Sequence, residues 1–258
     1  MHRYISLGAG VQSTTMLLMA VRGTFGDVPQ GAIFADTHAE PEAVYRHLDW
    51  LTAELAPFPI HRVSAGDLYA DTIRKAEGGS TRIASIPSFV ATPKGKGMLK
   101  RQCTKDFKLR PIRRKLRELA NGEPSESWIG ISFDEYHRMK QSDVKWVSNR
   151  YPLVDHKITR WDCIAWLKEH GYPIPMKSSC VFCPYHDDGL WRELQRDHPA
   201  DFERAVTVDR AIRQIPRIDG ETFLHDSLQP LIEIDFRTRE EQGQINMWAN
   251  ECEGLCGV

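Results

Sequence analysis

The apolar positions in the first third of the chain alternate between strand-length runs and helix-period stretches. Arg3 to Leu7 reads as a short strand, Ala32 to Ala35 as a second and Ile60 to Ser64 as a third. Between them lie a helix-like stretch from Ser13 to Val21 and an amphipathic run from Glu42 to Leu55, with Pro41 suited to a first helical turn. A further helix is expected from about Asp67 to Ala76, and Ser127 to Ile131 reads as another strand. This β-α-β-α-β rhythm predicts an α/β fold, a parallel sheet with helices on both faces. Gly78 to Gly97 is rich in Gly, Ser, Thr and Pro, lacks periodicity and is expected to be a mobile loop over a site. Thr159, with Asp162 three residues on, starts a helix that Gly171 ends. After Pro184 the pattern is helical to about Arg213. The expected division is an α/β part over 1–184 and a helical C-terminal part over 185–258, packed on the first.

Composition adds exclusions. The 258 residues carry 34 Lys+Arg against 35 Asp+Glu, a formal charge of −1, and 41% are hydrophobic. That is ordinary globular usage and excludes a disordered or fibrous chain. Met16 to Val21 is too short an apolar run to span a bilayer, and Met1-His2-Arg3-Tyr4 lacks the marks of a secretory signal, so no membrane contact and a cytoplasmic location are expected. The near-zero total hides a polarised segment. From Lys94 to Arg117 eleven cations face only Asp106, a local sum of +10 that leaves −11 for the rest. Such a run points to an anionic ligand, with tRNA or DNA among the candidates, or to a solvated helix face.

Six cysteines stand at 103, 163, 180, 183, 252 and 256. Cys180-Val-Phe-Cys183 and Cys252-Glu-Gly-Leu-Cys256 are close pairs, which in a reducing compartment read as metal or cluster ligands before redox centres. Cys163 lies within a helix, with Trp166 and Leu167 on the same side, and reads as a small buried hydrophobe. His47, His170 and His198 read as helix-surface residues, and His186 as a surface residue before a ligand. His38 falls at a strand end where active-site groups gather, yet no histidine stands out as a base. The turn Gly8-Ala9-Gly10 between the first strand and helix, followed by Ser13, Thr14 and Thr15, suits the close approach of an anion; an ordinary tight turn is the other reading.

The stretch Ser6-Leu7-Gly8-Ala9-Gly10-Val11-Gln12-Ser13-Thr14 resembles the pyrophosphate loop of the adenine nucleotide α-hydrolase (PP-loop) superfamily. Ile33 to Glu42, with Asp36 and Thr37, is similar to the second-strand motif of the phosphoadenosine phosphosulfate (PAPS) reductases. Arg101-Gln102-Cys103 followed by Lys108, Pro111 and Ile112, then Gly130-Ile131-Ser132 with Asp134, Glu135 and Arg138, then Ser179-Cys180-Val181-Phe182-Cys183-Pro184, resemble three further motifs of that family in its order. The resemblance spans about residues 4 to 184. One departure is Gln12, where PP-loop pyrophosphatases usually carry an acid. Several PAPS reductases lack that acid too.

The resemblance implies an α/β nucleotide-binding domain with Ser6, Gly8, Ala9, Gly10, Gln12, Ser13, Thr14, Asp36, Thr37, Glu135 and Arg138 around an adenine nucleotide. It implies sulfate or phosphate contacts from Lys100, Arg101 and Lys108, the last two as catalytic residues. It also implies a [4Fe–4S] cluster on Cys103, Cys180, Cys183 and a tail thiol. Cys256 is taken as the fourth ligand and Cys252 as the attacking thiol, or the reverse, and zinc on the same thiols is the alternative. Three activities follow as expectations. The first is a PAPS reductase-like enzyme recycled by a thiol donor such as thioredoxin. The second is an ATP-dependent sulfur transferase acting on tRNA or DNA, with Mg2+ on the ATP. The third is a non-catalytic nucleotide or redox sensor.

Overall fold

The computed structural model describes residues 1–78, 85–93, 95–216 and 218–238. Five strands form one parallel sheet: β1 (His2–Leu7), β2 (Gly31–Asp36), β3 (Ile60–Ser64), β6 (Ser125–Ile129) and β7 (Val147–Arg150), in the order β3-β2-β1-β6-β7. Strand residues alternate between two cores, as the two-residue period of a pleated strand requires. Ile5, Leu7, Ala32 and Phe34 pack with α1 (Val11–Val21), α2 (Glu42–Glu54) and α6 (Arg160–Glu169). Tyr4, Ile33 and Ala35 face the other way, onto Ile112 and Leu116 of α4 (Arg110–Leu119). Burial on both faces is why β2 reads as a continuous apolar run from Ala32 to Ala35.

The winding has a consequence for function. From β1 the chain builds outward through β2 and β3, then returns to add β6 and β7 on the opposite side of β1. Sheets of this kind open a crevice beyond the carboxyl ends of the two strands where the order reverses, here β1 and β6.

A third core gathers Leu68 of α3 (Leu68–Ala76), Phe107, Val181 and Phe182 with Trp191 and Leu194 of α7 (Asp188–Asp197) and Phe202, Ala205 and Val206 of α8 (Pro199–Ala211). The expected C-terminal helices thus exist and share a core with residues of the α/β part. Thr159 and Asp162 form the capping box that opens α6, and Cys163 is fully buried. Short elements add to the expected set: β7, α5 (Pro152–Asp155) and a second, three-stranded antiparallel sheet. Within the stretch expected as a loop, β4 (Phe89–Thr92) and β5 (Gly95–Met98) form a hairpin that pairs with β8 (Glu221–Phe223). No described helix is long and apolar enough to cross a membrane.

Two histidines depart from expectation. His47 is buried, not on the helix surface, with its Nε2 3.1 Å from the Thr14 hydroxyl, and burial pushes it down to about 4. His186 is likewise buried, 4.6 Å from the Trp191 ring, and burial pushes it down to about 3. The Thr14 hydroxyl beside His47 and the Trp191 ring beside His186 are tertiary contacts that sequence spacing alone does not reveal.

Candidate functional site

The crevice holds a cavity of about 430 Å3 at the ends of β1, β2 and β6. Its floor is the turn Gly8-Ala9-Gly10. Ala9 adopts φ +57°, a left-handed conformation that costs a non-glycine residue roughly 1–2 kcal/mol. Ser13 fastens the turn: its hydroxyl accepts from the Gly8 N–H at 3.2 Å and lies 3.3 Å from the Gly10 carbonyl. Space above the turn is tight. A Cβ at Gly10 would lie 3.0 Å from the Ser178 Oγ, and one at Gly130 would lie 2.7 Å from Ser13 Cα. With α1 beginning at Val11, its positive end and free amide groups face the cavity.

Gln12 is held at both ends of its amide. Arg160 Nη1 donates to Gln12 Oε1 at 2.8 Å, and Gln12 Nε2 donates to Glu135 Oε2 at 3.1 Å. Arg138 Nη1 in turn donates to Glu135 Oε1 at 2.6 Å. The chain Arg160–Gln12–Glu135–Arg138 therefore places a carboxylate beside the residue that breaks the usual loop pattern. Lys108 and Lys177 complete a cationic lining. A cavity with a helix N-terminus, four cations and one acid is suited to a polyphosphate or sulfate anion, with or without a divalent cation.

Lys108 also faces the thiols. Its Nζ donates to Glu40 at 2.8 Å, and Glu40 is only 1% exposed. Burial alone would lower the Lys108 pKa, but Glu40, with Cys180 and Cys103 nearby, more than offsets this and raises it. Cys180 and Cys183 sit in a turn closed by the Cys183 N–H on the Cys180 carbonyl at 2.9 Å and anchored by the buried Val181 and Phe182. The Thr37 hydroxyl lies 3.6 Å from Cys180 Sγ. Burial pushes the Cys180 thiol up to about 12, with Glu40 adding to the shift and Lys108 opposing it. Cys183 is raised by burial and by Cys103, against Arg101 and Lys108. Cys183 thus lies near both Cys103 and Cys180, and Lys108 near Cys103 and Cys180, so three thiols from two chain segments make an all-sulfur donor set. Among the described residues no three His, Cys, Asp or Glu groups converge as they would on a single metal ion. A cubane cluster spreads its thiolates over separate irons, and Cys103, Cys180 and Cys183 fit three of its four corners by donor type. Cys252 and Cys256 lie outside the described residues.

Of the expected nucleotide contacts, Ser6, Gly8, Gly10, Gln12, Ser13, Glu135 and Arg138 line the cavity. Ala9 shapes its floor while buried. Thr14 points into the core toward His47, and Asp36 accepts from the Tyr45 hydroxyl and the His38 N–H, each at 2.8 Å. Thr37 faces Cys180. Arg101 lies over the Tyr185 ring at 5.4 Å, outside the cavity lining. Much of the basic run is engaged internally: Arg110 with Asp106, Arg113 with Asp143, Lys115 with Glu118, Lys96 with Asp226 and Arg117 on the Trp146 ring. Arg160, Lys177, Ser178 and Glu40 were not singled out by the sequence. The only local signal for Arg160 is its place just after the Thr159 cap.

No family model matches the chain, and no curated protein matches it. Among solved structures it is similar to the U34-tRNA thiolase NcsA from Methanococcus maripaludis with its [4Fe-4S] cluster, at 12% identity and a TM-score of 0.38, over 88% of this chain and 77% of that one.

Proposed function

We propose that the chain is an ATP-dependent sulfur transferase. The observation that carries this reading is Lys108, which lines the cavity over the Gly8–Ser13 turn and also lies within the field of Cys103 and Cys180. Nucleotide activation and sulfur handling would then share one wall. An acceptor oxygen attacks the α-phosphorus, the bond to pyrophosphate breaks, and AMP is joined to the acceptor. Sulfide (HS−) then attacks the activated carbon, the carbon–oxygen bond breaks, and AMP departs with the oxygen. Lys108, Lys177, Arg138 and Arg160 offset the phosphate charge, and the α1 N-terminus meets it with backbone amides. Glu135 answers the missing loop acid: it stands 3.1 Å from Gln12 and would hold Mg2+ together with the phosphates. Cys103, Cys180 and Cys183 would hold a [4Fe–4S] cluster with a fourth thiolate, which when bound supplies sulfur-handling iron beside the nucleotide.

A second reading is sulfonucleotide reduction. Gln12 is neutral and faces Arg160, so the turn itself is free of acid and suits the sulfate of adenylyl sulfate or PAPS without a metal. Calorimetry separates the two. ATP is expected to bind more tightly with Mg2+ than without, and Glu135→Gln is expected to weaken the magnesium-bound complex by about tenfold, one lost charge-assisted contact. Tighter binding of adenylyl sulfate than of ATP, indifferent to Mg2+ and to Glu135→Gln, would overturn the transferase reading.

A further inference from the structure

The mouth of the cavity carries large apolar side chains that none of the described residues covers. The 3-10 turn Phe133–Arg138 contributes Glu135 and Arg138 to the cavity, while Phe133 is 40% exposed and Tyr136 59%. Their rings stack with centroids 6.2 Å apart and planes 29° from parallel. α6 begins against the same turn: Arg160 N–H donates to Asp134 Oδ1 and Phe133 N–H to the Ile158 carbonyl, both at 2.8 Å. The next residue, Trp161, is 78% exposed, more than any other large apolar side chain among the described residues. Past Met139 the surface opens into a second cavity of about 590 Å3 lined in part by Lys140, Lys145 and Tyr151. Neither lysine has a carboxylate partner among the described residues.

Exposed rings interleaved with free cations have a specific chemistry. Rings stack on the faces of unpaired bases, and ammonium groups meet the phosphates between them. A duplex hides base faces in its stack, whereas the loops of a folded RNA present them, which sets the partner as RNA rather than duplex DNA. A protein partner would favour an apolar patch without unpaired lysines beside it. We propose that Phe133, Tyr136 and Trp161, with Lys140 and Lys145, form a stacking platform that docks the unpaired loop of an RNA at the mouth of the nucleotide cavity. This deepens the transferase reading and rests on it, because the platform adjoins the cavity an acceptor must reach. It also moves the nucleic-acid contact away from the 94–117 run, whose cations are largely engaged within the protein.

Fluorescence anisotropy of a labelled RNA stem-loop tests the platform. Trp161→Ala and Tyr136→Ala are each expected to weaken binding by roughly tenfold, the share of one base–ring stack. Trp161→Phe and Tyr136→Phe should retain most of the affinity. A blunt RNA duplex of the same length should bind more weakly and lose less on either alanine substitution. Circular dichroism and melting should be unchanged, since both side chains face solvent. No binding of the stem-loop by the native protein, an unaltered affinity in the Tyr136→Ala/Trp161→Ala variant, or an equal loss for the duplex would each overturn the proposal. Pyrophosphate release from ATP is followed separately. Ring-dependent RNA binding without ATP turnover would leave the platform standing and remove the transferase, while ATP turnover with ring-independent RNA binding would do the reverse.

Discussion

Lys108→Met is expected to lower the unfolding free energy by about 3 kcal/mol, because it leaves the Glu40 carboxylate buried without its partner. Glu40 is 1% exposed, and its second oxygen has no hydrogen-bond partner, so the 2.8 Å contact with Lys108 is its main compensation. The value sits at the low end for a broken buried pair because 35% of the Lys108 side chain is exposed. Adding Glu40→Gln should recover a large part of the loss, since an amide at that position leaves no unpaired charge. Urea titrations of the single and double variants measure both quantities. A double variant no more stable than Lys108→Met would show that the pair is not what holds this corner together. The same substitution removes a cation from the cavity wall, so nucleotide affinity should fall in the double variant even where stability returns.

The larger effect on binding is expected from Gly130→Ala. The new methyl carbon would stand 2.7 Å from Ser13 Cα and 2.9 Å from Ser13 N, both backbone atoms that cannot rotate away. Either the end of β6 or the start of α1 must move. Ser13 fastens Gly8 and Gly10, so the turn beneath the cavity shifts with it. Displacements on the order of 1 Å at such a site cost about 10²-fold, and the overpacking itself costs roughly 1–3 kcal/mol of stability. Calorimetry with ATP, beside a melting curve, reads both. An affinity within twofold of the native protein would show that the turn does not form the phosphate floor.

The centre of the sheet was legible because β1 and β2 pack on both faces, and the helices around it announce their ends. Ile33 and Phe34 serve opposite cores, so β2 is apolar from Ala32 to Ala35, and the side-chain caps at Asp67 and Thr159 open α3 and α6 where expected. The shorter elements gave no such signal. β5 is exposed along its whole length and contains two glycines, and β7 buries only Val147. The turn Thr104–Leu109 is a π-helix in which the Arg110 N–H reaches back to the Lys105 carbonyl. Pro111, next in the chain, has no N–H for the Phe107 carbonyl, which favours the wider turn before it. In the cavity, the glycine turn and Glu135 could be read from local patterns, whereas the bond between Gln12 and Arg160 joins residues 148 positions apart. Likewise nothing local to Glu40 reveals that it meets Lys108. The charge run from Lys94 to Arg117 was visible, but its partners Asp143 and Trp146 lie beyond it in sequence and close to it only in the fold.

Labelled ATP can be followed with anaerobically prepared, iron-replete protein, sulfide and RNA. An RNA-thiolating transferase yields pyrophosphate and AMP in equal amounts, formed only with RNA present. Cys180→Ala protein is expected to lose this turnover while still binding ATP. Sulfite formed from adenylyl sulfate with thioredoxin, or nucleotide bound with neither product released, would contradict the transferase reading.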